Sequence, residues 1–298
     1  MVIITGASGF LGKIIFNNLA SEVTNLRTLG RSAHNDFQCD LSIQSPLLKL
    51  ENIKLIIHAA GKAHTVPKTD FEKDEFYNIN VVGSNNLLKS LTKSGIPKYF
   101  VFISSVSVYG KYFGIAIDEN TPLLAKDPYG LSKIHAEQLI LDWCKKHNVI
   151  CTILRLPLLV GQNPPGNLGA MIKGIQKGYY FNIAGGNAKK SMVLATDVAK
   201  SILKVAEIGG IYNLTDGYHP SFKDLSNHIS IQLGKKKPKN IPYWLAMIVS
   251  KFGDFLGYKV PLNTNNLKKI TSDLTFDDRK AKESFGWNPT PVLKGFKI

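Results

Sequence analysis

Val2-Ile3-Ile4-Thr5-Gly6-Ala7-Ser8-Gly9-Phe10-Leu11-Gly12 decides the fold of this chain. Val2–Thr5 is an apolar run closed by a threonine, the pattern of a strand buried on both faces. Residues 10–20 then carry apolar side chains at helical spacing. Three glycines stand at the junction. Gly6 permits a tight turn, Gly9 lets backbone approach a pyrophosphate, and Gly12 lets the helix pack closely on the strand. Phe10 and Leu11 open the helix, whose free amides and positive dipole end favour an anion. An isolated glycine triplet is weak evidence. Set between a strand and an amphipathic helix, this one has the context that the mechanism demands.

Working outward, the same rhythm repeats. Apolar strands are expected at 26–29, Leu55–His58, 99–103, 151–156 and 211–214, with long helices over 71–94 and Pro128–Lys146. Continuous apolar strands separated by helices make a parallel sheet covered on both faces. The expected fold is therefore α/β, a Rossmann-type doubly wound parallel sheet with a smaller mixed α/β C-terminal lobe. Residues 1–165, with about 194–217, form the dinucleotide-binding domain in this reading. About 166–193 and 218–298 form the second lobe. The stretch 157–169, with three prolines and three glycines, reads as a loop, and 168–177 as a helix.

Two further clusters speak to chemistry. After the second strand stand Gly30-Arg31-Ser32, where an NAD site usually has an acid for the ribose hydroxyls. Arg31 suits a 2′-phosphate instead, which puts NADP(H) ahead of NAD(H); the bland alternative is that it stacks on adenine or faces water. Tyr129-Gly130-Leu131-Ser132-Lys133 opens the second long helix, and the i, i+4 spacing puts Tyr129 and Lys133 on one face. A free tyrosine titrates near pH 10, roughly three units too high for acid–base work at neutrality. A nearby ammonium is expected to lower it. Isolated YxxxK spacings are common, but Ser105 follows the fourth strand, at the sheet edge where ligands bind.

Composition limits the alternatives. The chain has 298 residues, 44% apolar and 20% charged, as in ordinary globular proteins. No apolar run is long enough to span a bilayer and no leader precedes Val2, so a cytoplasmic location is expected. Three scattered cysteines and seven histidines without ligand spacing point to neither a disulfide framework nor a metal site. The net charge of +15 is nearly all lysine, with arginine only at 27, 31, 155 and 279. Nucleic-acid readers rely on arginine forks, so no nucleic-acid partner is expected. The run Lys235-Lys236-Lys237-Pro238-Lys239 reads as a solvated loop ahead of an acidic-membrane contact. Residues 244–256 read as a short amphipathic helix, packed in the small lobe in preference to touching a membrane.

The stretches GASGFLG (6–12), CDL (39–41), IHAAG (57–61), NINVVGSNNLL (78–88), FISSVSVYG (102–110), PYGLSK (128–133), LRLP (154–157) and FGWNPTPVLKGF (285–296) carry a resemblance. With them the chain resembles the extended short-chain dehydrogenases/reductases, specifically the NAD-dependent epimerase/dehydratase family of nucleotide-sugar enzymes. The resemblance implies that Asp40 and Leu41 contact the adenine, and that Ala59, Ala60 and Gly61 line the dinucleotide cleft. Asn80 would steady the cofactor-side helix. Ser105 would hold the sugar oxygen, with Ser107 beside it on the substrate side, Tyr129 would be the acid/base, and Lys133 would bind the nicotinamide ribose. Asn167 matches a position that contacts the nucleotide diphosphate. Lys190 stands where relatives carry a diphosphate-binding arginine seven residues before an aspartate, here Asp197, although lysine loses the bidentate geometry and Lys189 is an alternative.

Val106-Ser107 replaces the Asp-Glu pair that the 4,6-dehydratases of this family carry, which disfavours dehydration. What remains is reduction of a 4-keto sugar, the preferred reading, or 4-epimerisation of a nucleotide-sugar. The missing acid after strand two and the SSVxVxG spacing favour a 4-keto-sugar reductase of surface-polysaccharide biosynthesis. A non-catalytic dinucleotide-binding regulator is the distant third. Relatives often pair through the two long helices, so a homodimer through 71–94 and 129–146 is a further expectation.

Overall fold

The computed structural model describes residues 1–48, 52–63, 65–256 and 263–298. Seven parallel strands form one sheet: β1 (Val2–Thr5), β2 (Leu26–Gly30), β3 (Phe37–Gln38), β4 (Leu55–His58), β5 (Tyr99–Ser105), β6 (Ile150–Leu156) and β7 (Gly210–Asn213). Their spatial order is β7-β6-β5-β4-β1-β2-β3. The chain winds outward from β1 to β3, then crosses back to β4 on the other side of β1. Val2 consequently lies opposite both Leu26 and Leu55. The crevice beyond the carboxyl ends of β1 and β4 is the switch point where doubly wound sheets bind ligands.

The apolar runs divide with period two between the faces of the sheet. Ile4, Leu55, Ile57 and Val101 face one side, where α1 (Phe10–Leu19) contributes Leu11 and Ile15. Ile3, Leu29, Ile56 and Phe100 face the other, under α3 (Gly83–Ser94) and α4 (Pro128–Lys146). Each such fully buried aliphatic side chain contributes about 1.5–3 kcal/mol. Two buried layers of them are what hold the strand ends in place.

The remaining helices are α5 (Gly166–Lys177), α6 (Ala195–Ala206), α7 (Phe222–Gln232), α8 (Tyr243–Leu256), α9 (Thr264–Thr271), α10 (Arg279–Phe285) and α11 (Val292–Gly295). Helix α6 joins α1 on the first face. Helices α5, α7 and α11 share a separate core of Leu168, Met171, Ile175, Leu225, Ile229 and Val292. Three short parallel pairs tie distant segments together: Leu158–Val160 with Met192–Leu194, Phe181–Ile183 with Lys239–Ile241, and Gly114–Ile117 with Leu274–Phe276.

Three local expectations differ from what is found, and two free cysteines apart in sequence meet. The helix expected over 71–94 is instead α2 (Asp70–Tyr77), a π-helical turn at Asn78–Val82, and α3. Side-chain periodicity hides one wide turn, because the apolar stripe resumes after it. The expected loop 157–169 contains the strand Leu158–Val160, whose pairing partner lies more than thirty residues away and leaves no local signal. Cys144 and Cys151 face one another between α4 and β6, and that contact together with burial raises the Cys144 thiol well above its ordinary value. Helix α8 packs on α9 yet leaves most of its large apolar side chains exposed, so its apolar face does not pack in the lobe as expected. Among the described residues no helix is long and apolar enough to cross a membrane.

Candidate active site

The glycine loop is built by two backbones in contact. Gly6 has φ +74°, and a Cβ there would lie 2.6 Å from the Ala60 amide nitrogen. A Cβ on Gly12 would fall 2.0 Å from the Gly6 carbonyl oxygen. Both positions are therefore dictated by the turn itself; Gly12 is crowded by the Gly6 carbonyl, inside the turn, and its contact is narrower than helix–strand packing at large. Gly9 is different. Its amide donates to Gly6 O at 2.9 Å and its own Cβ would meet only that oxygen, at 3.2 Å. Gly9 is thus the least crowded of the three, and it lines the cleft.

A cleft of about 760 Å³ opens over this loop. Gly9, Phe10, Leu11 and Gly12 line it, with Ala59 and Gly61 from the end of β4. Behind them Ala60 N donates to Thr5 Oγ1 at 3.2 Å, and Thr5 Oγ1 is bonded to His58 Nδ1 at 2.7 Å. The other His58 nitrogen meets Ser84 Oγ at 2.9 Å. Burial, aided by the Lys133 charge, holds His58 neutral with its pKa lowered to about 3.

Helix α4 forms the opposite wall. Asp127 caps it by accepting from Gly130 N at 3.0 Å, and Pro128 occupies the first turn, which needs no amide there. Tyr129, Lys133 and Glu137 follow one another at i, i+4 and i+8 along the stripe facing β5. Lys133 Nζ donates to Ile103 O at 2.9 Å and lies 4.6 Å from the centre of the Phe102 ring. Its burial lowers the pKa to about 8, against the opposing pull of Glu137. Tyr129 differs from expectation. Burial raises its phenol above the ordinary value, and only the hydrogen bond with Ser105 pulls it down. One of the three Lys133 donors goes to the Ile103 carbonyl, and its charge is not among the causes that shift the phenol.

Asn80 explains the π turn. Its Oδ1 accepts from Lys62 N at 2.7 Å, and its Nδ2 donates to Lys62 O at 3.2 Å and to Ser132 Oγ at 2.8 Å. One side chain thus clamps the backbone at Lys62, past the end of β4, to the helix carrying Tyr129. A regular helix over 71–94 turns each residue 100° from the last, and the wide turn resets that phase at Asn80.

Sequence reasoning missed the support behind Lys133. Glu137 and Arg155, almost fully buried, form a salt bridge with Nη2–Oε2 at 2.7 Å. Ser104 Oγ donates to Glu137, while Arg155 Nη1 reaches Tyr109 Oη at 3.1 Å, and Tyr109 donates to Asn213 at 2.8 Å. The signal was an arginine inside the apolar strand 151–156: a charge there must be paired.

The substrate side is less regular. Ser105, Ser107, Asn167 and Lys190 all line the same cleft, as do Phe222 and Lys269, which were not anticipated. Ser105 Oγ accepts from Ser107 N at 3.1 Å. Lys190 Nζ donates to Lys269 O at 2.8 Å and Ser272 O at 2.7 Å, and burial lowers its pKa to about 8. Two of its three donors are therefore occupied by the C-terminal end of α9. Lys189 is exposed, and Asp197 accepts from Thr290 N, so the spacing that singled it out has another use. Arg31, Asp40, Leu41, Gly6, Ala60 and Asn80 do not line the cleft. Arg31 is exposed at the end of β2; Asp40 binds Ser42 Oγ at 2.6 Å; Leu41 is buried in the core.

The model of the NAD dependent epimerase/dehydratase family matches residues 2–215. The UDP-glucose 4-epimerase of Vibrio cholerae is 24% identical, over 99% of this chain and 93% of its own. The N-acetyl-alpha-D-glucosaminyl-diphospho-ditrans,octacis-undecaprenol 4-epimerase of Escherichia coli O157:H7 is 27% identical, over 99% and 92%. Among solved structures, MoeE5 in complex with UDP-glucose and NAD superposes with a TM-score of 0.76 at 19% identity, covering 99% of this chain and 95% of that one.

Proposed function

The chain belongs to the NAD-dependent epimerase/dehydratase family, and we propose that it carries out NAD(P)-dependent oxidoreduction at C4 of a nucleotide-linked sugar, as a 4-keto-sugar reductase. The observation that carries the reading is the convergence of Ser105, Tyr129 and Lys133 on the same cleft that the glycine loop lines.

The residues fit a dinucleotide. The cleft edge at Gly9 has room for a pyrophosphate where any other residue would place a side chain, and α1 presents its N-terminal amides there. Gly9, Phe10, Leu11 and Gly12 would hold the pyrophosphate, Ala59 and Gly61 the cleft wall, and Lys133 the nicotinamide ribose. A bound nicotinamide supplies the hydride, which no side chain here can. Ser105 Oγ then holds the C4 oxygen of the sugar, and Tyr129 Oη gives that oxygen a proton as C4 becomes tetrahedral. The Ser105 hydroxyl favours the phenolate left behind. In the division of labour proposed, residues 1–165 with 194–217 hold the cofactor. The segments 166–193 and 218–298 hold the sugar nucleotide, UDP-linked in this reading, through Asn167 and Lys190, with Ser107 reaching it from the sheet domain.

Arg31 at the end of β2, with no acid beside it, supports NADP(H) as the cofactor and a reductant consumed each turnover. The second reading, 4-epimerisation, is favoured by the V. cholerae and E. coli relatives, both 4-epimerases matched over 99% of this chain. With NADPH and a UDP-linked 4-keto-6-deoxyhexose, the reductase oxidises one NADPH per sugar. Inversion at C4 of a UDP-hexose with no net NAD(P)H change would establish the epimerase instead. In either case Tyr129→Phe should slow turnover at least about 10²-fold while both ligands still bind. Near-normal turnover by that variant would remove the mechanism. A homodimer through α2, α3 and α4 belongs to the same proposal, and the exposed Phe71, Tyr77 and Leu131 on those helices support it. So does a cytoplasmic location.

A further inference from the structure

Helix α8 is packed the wrong way round for a helix of a globular lobe. Its inward side chains are small: Ala246, Ser250 and Gly253 are buried. Its large ones face water. Trp244 and Phe252 are each 65% exposed, and Ile248, Val249 and Leu245 are between 39% and 46%. At 100° per residue, positions 244, 245, 248, 249 and 252 form one contiguous stripe, with Lys251 on its flank. Such a stripe marks an interaction site in a soluble chain.

The charge beside it says what covers it. From residue 235 to residue 253 the chain has five lysines, at 235, 236, 237, 239 and 251, and no acid. All five are exposed, and none takes part in an ion pair among the described residues. The strand Lys239–Ile241 leads directly into α8, so the lysine run and the apolar stripe are one surface. A protein interface usually excludes lysine from its apolar core. A two-fold contact with a second copy would set lysine run near lysine run in a chain already at +15. A bilayer with acidic headgroups satisfies both features, because tryptophan and tyrosine favour the headgroup level and lysines gain from anionic lipid. The helix is too short to span and suits the plane of the interface.

We propose that residues 235–253 dock this protein on an anionic lipid bilayer. Helix α8 lies in the headgroup plane, its 244/248/252 stripe turned to the acyl chains and its lysines to the lipid charges. Helix α8 packs on α9, whose Lys269 lines the cleft, so docking brings the substrate wall towards the membrane surface.

The test is co-sedimentation of the full chain with vesicles of phosphatidylcholine alone and of phosphatidylcholine with phosphatidylglycerol. Binding should be confined to the vesicles with phosphatidylglycerol and should fall steeply with salt. The pair Trp244→Ser and Phe252→Ser should lower partitioning at least about tenfold. Each Lys→Gln change at 235, 236 or 237 should lower it about fivefold. None of these residues lines the cleft, so thermal unfolding and turnover in solution should stay at wild-type levels. Absence of binding to the acidic vesicles, or binding indifferent to these variants, overturns the proposal. So does a wild-type dimer that the Trp244/Phe252 pair dissolves, since the stripe would then belong to a second copy.

Discussion

The two walls of the cleft are made in different ways. On the wall that would hold the cofactor, β1, β4, β5 and α4 meet at the switch point, and side chains tie neighbouring elements together. Gly6 touches Ala60, Asn80 ties Lys62 to Ser132, and Glu137 and Arg155 form a buried pair one helical turn beyond Lys133. On the wall that would hold the substrate, Asn167, Lys190, Phe222 and Lys269 come from four separate segments. Lys190 is fixed by backbone carbonyls at the end of α9. The first wall depends on residue identity at nearly every position. The second depends on chain path, and a backbone carbonyl accepts from a lysine whatever side chain sits above it.

The comparison breaks most sharply at Glu137. Glu137→Ala leaves Arg155 buried without its carboxylate, which should cost about 3–5 kcal/mol in urea unfolding. A loss under about 1 kcal/mol would mean that the cofactor wall does not hang on this pair.

Lys133 gives the next effect, through pH. Its folded pKa of about 8 lies below the ordinary 10.5. Between those values the unfolded chain binds a proton that the folded chain has released, so stability gains with rising pH across that window. The gain from this one group should approach 3 kcal/mol. Lys133→Met should abolish that part of the slope, read from unfolding free energies at pH 7, 9 and 10.5. An unchanged slope would show that the ammonium is not desolvated on this wall.

Lys190 should give the smallest effect. Lys190→Met strips two carbonyls of their donor and should cost about 1–2 kcal/mol of stability. Its effect on the KM of the sugar nucleotide should stay below about tenfold, one charge–diphosphate contact, because a single donor remains to reach the cleft. A larger rise in KM with stability intact would move Lys190 from wall to grip and make the two walls alike.

Much of the first wall was legible before any coordinates. The glycine loop, Ser105, Tyr129 and Lys133 all line one cleft, as their motifs implied. Short-range rules are the reason: a turn, a helix start and an i, i+4 pair are specified by residues adjacent in the chain. Arg31, Asp40, Leu41 and Asn80 stand off the cleft, and Asn80 ties two elements of the first wall together from behind. The π turn at Asn78–Val82 and the strand Leu158–Val160 were hidden, one within a helical periodicity and the other behind prolines and glycines.

The chain by itself therefore determined the parallel doubly wound sheet, the glycine turn and the helix that puts Tyr129 and Lys133 on one face, because period, turn chemistry and spacing act over a few residues. Only tertiary structure decided that Glu137 meets Arg155 and that Lys190 is held by α9. It alone also raised the Tyr129 phenol by burial and left the stripe of α8 facing outward. Those outcomes depend on which segments, far apart in sequence, are brought together and on how much water their packing excludes. Neither quantity is written in any local pattern.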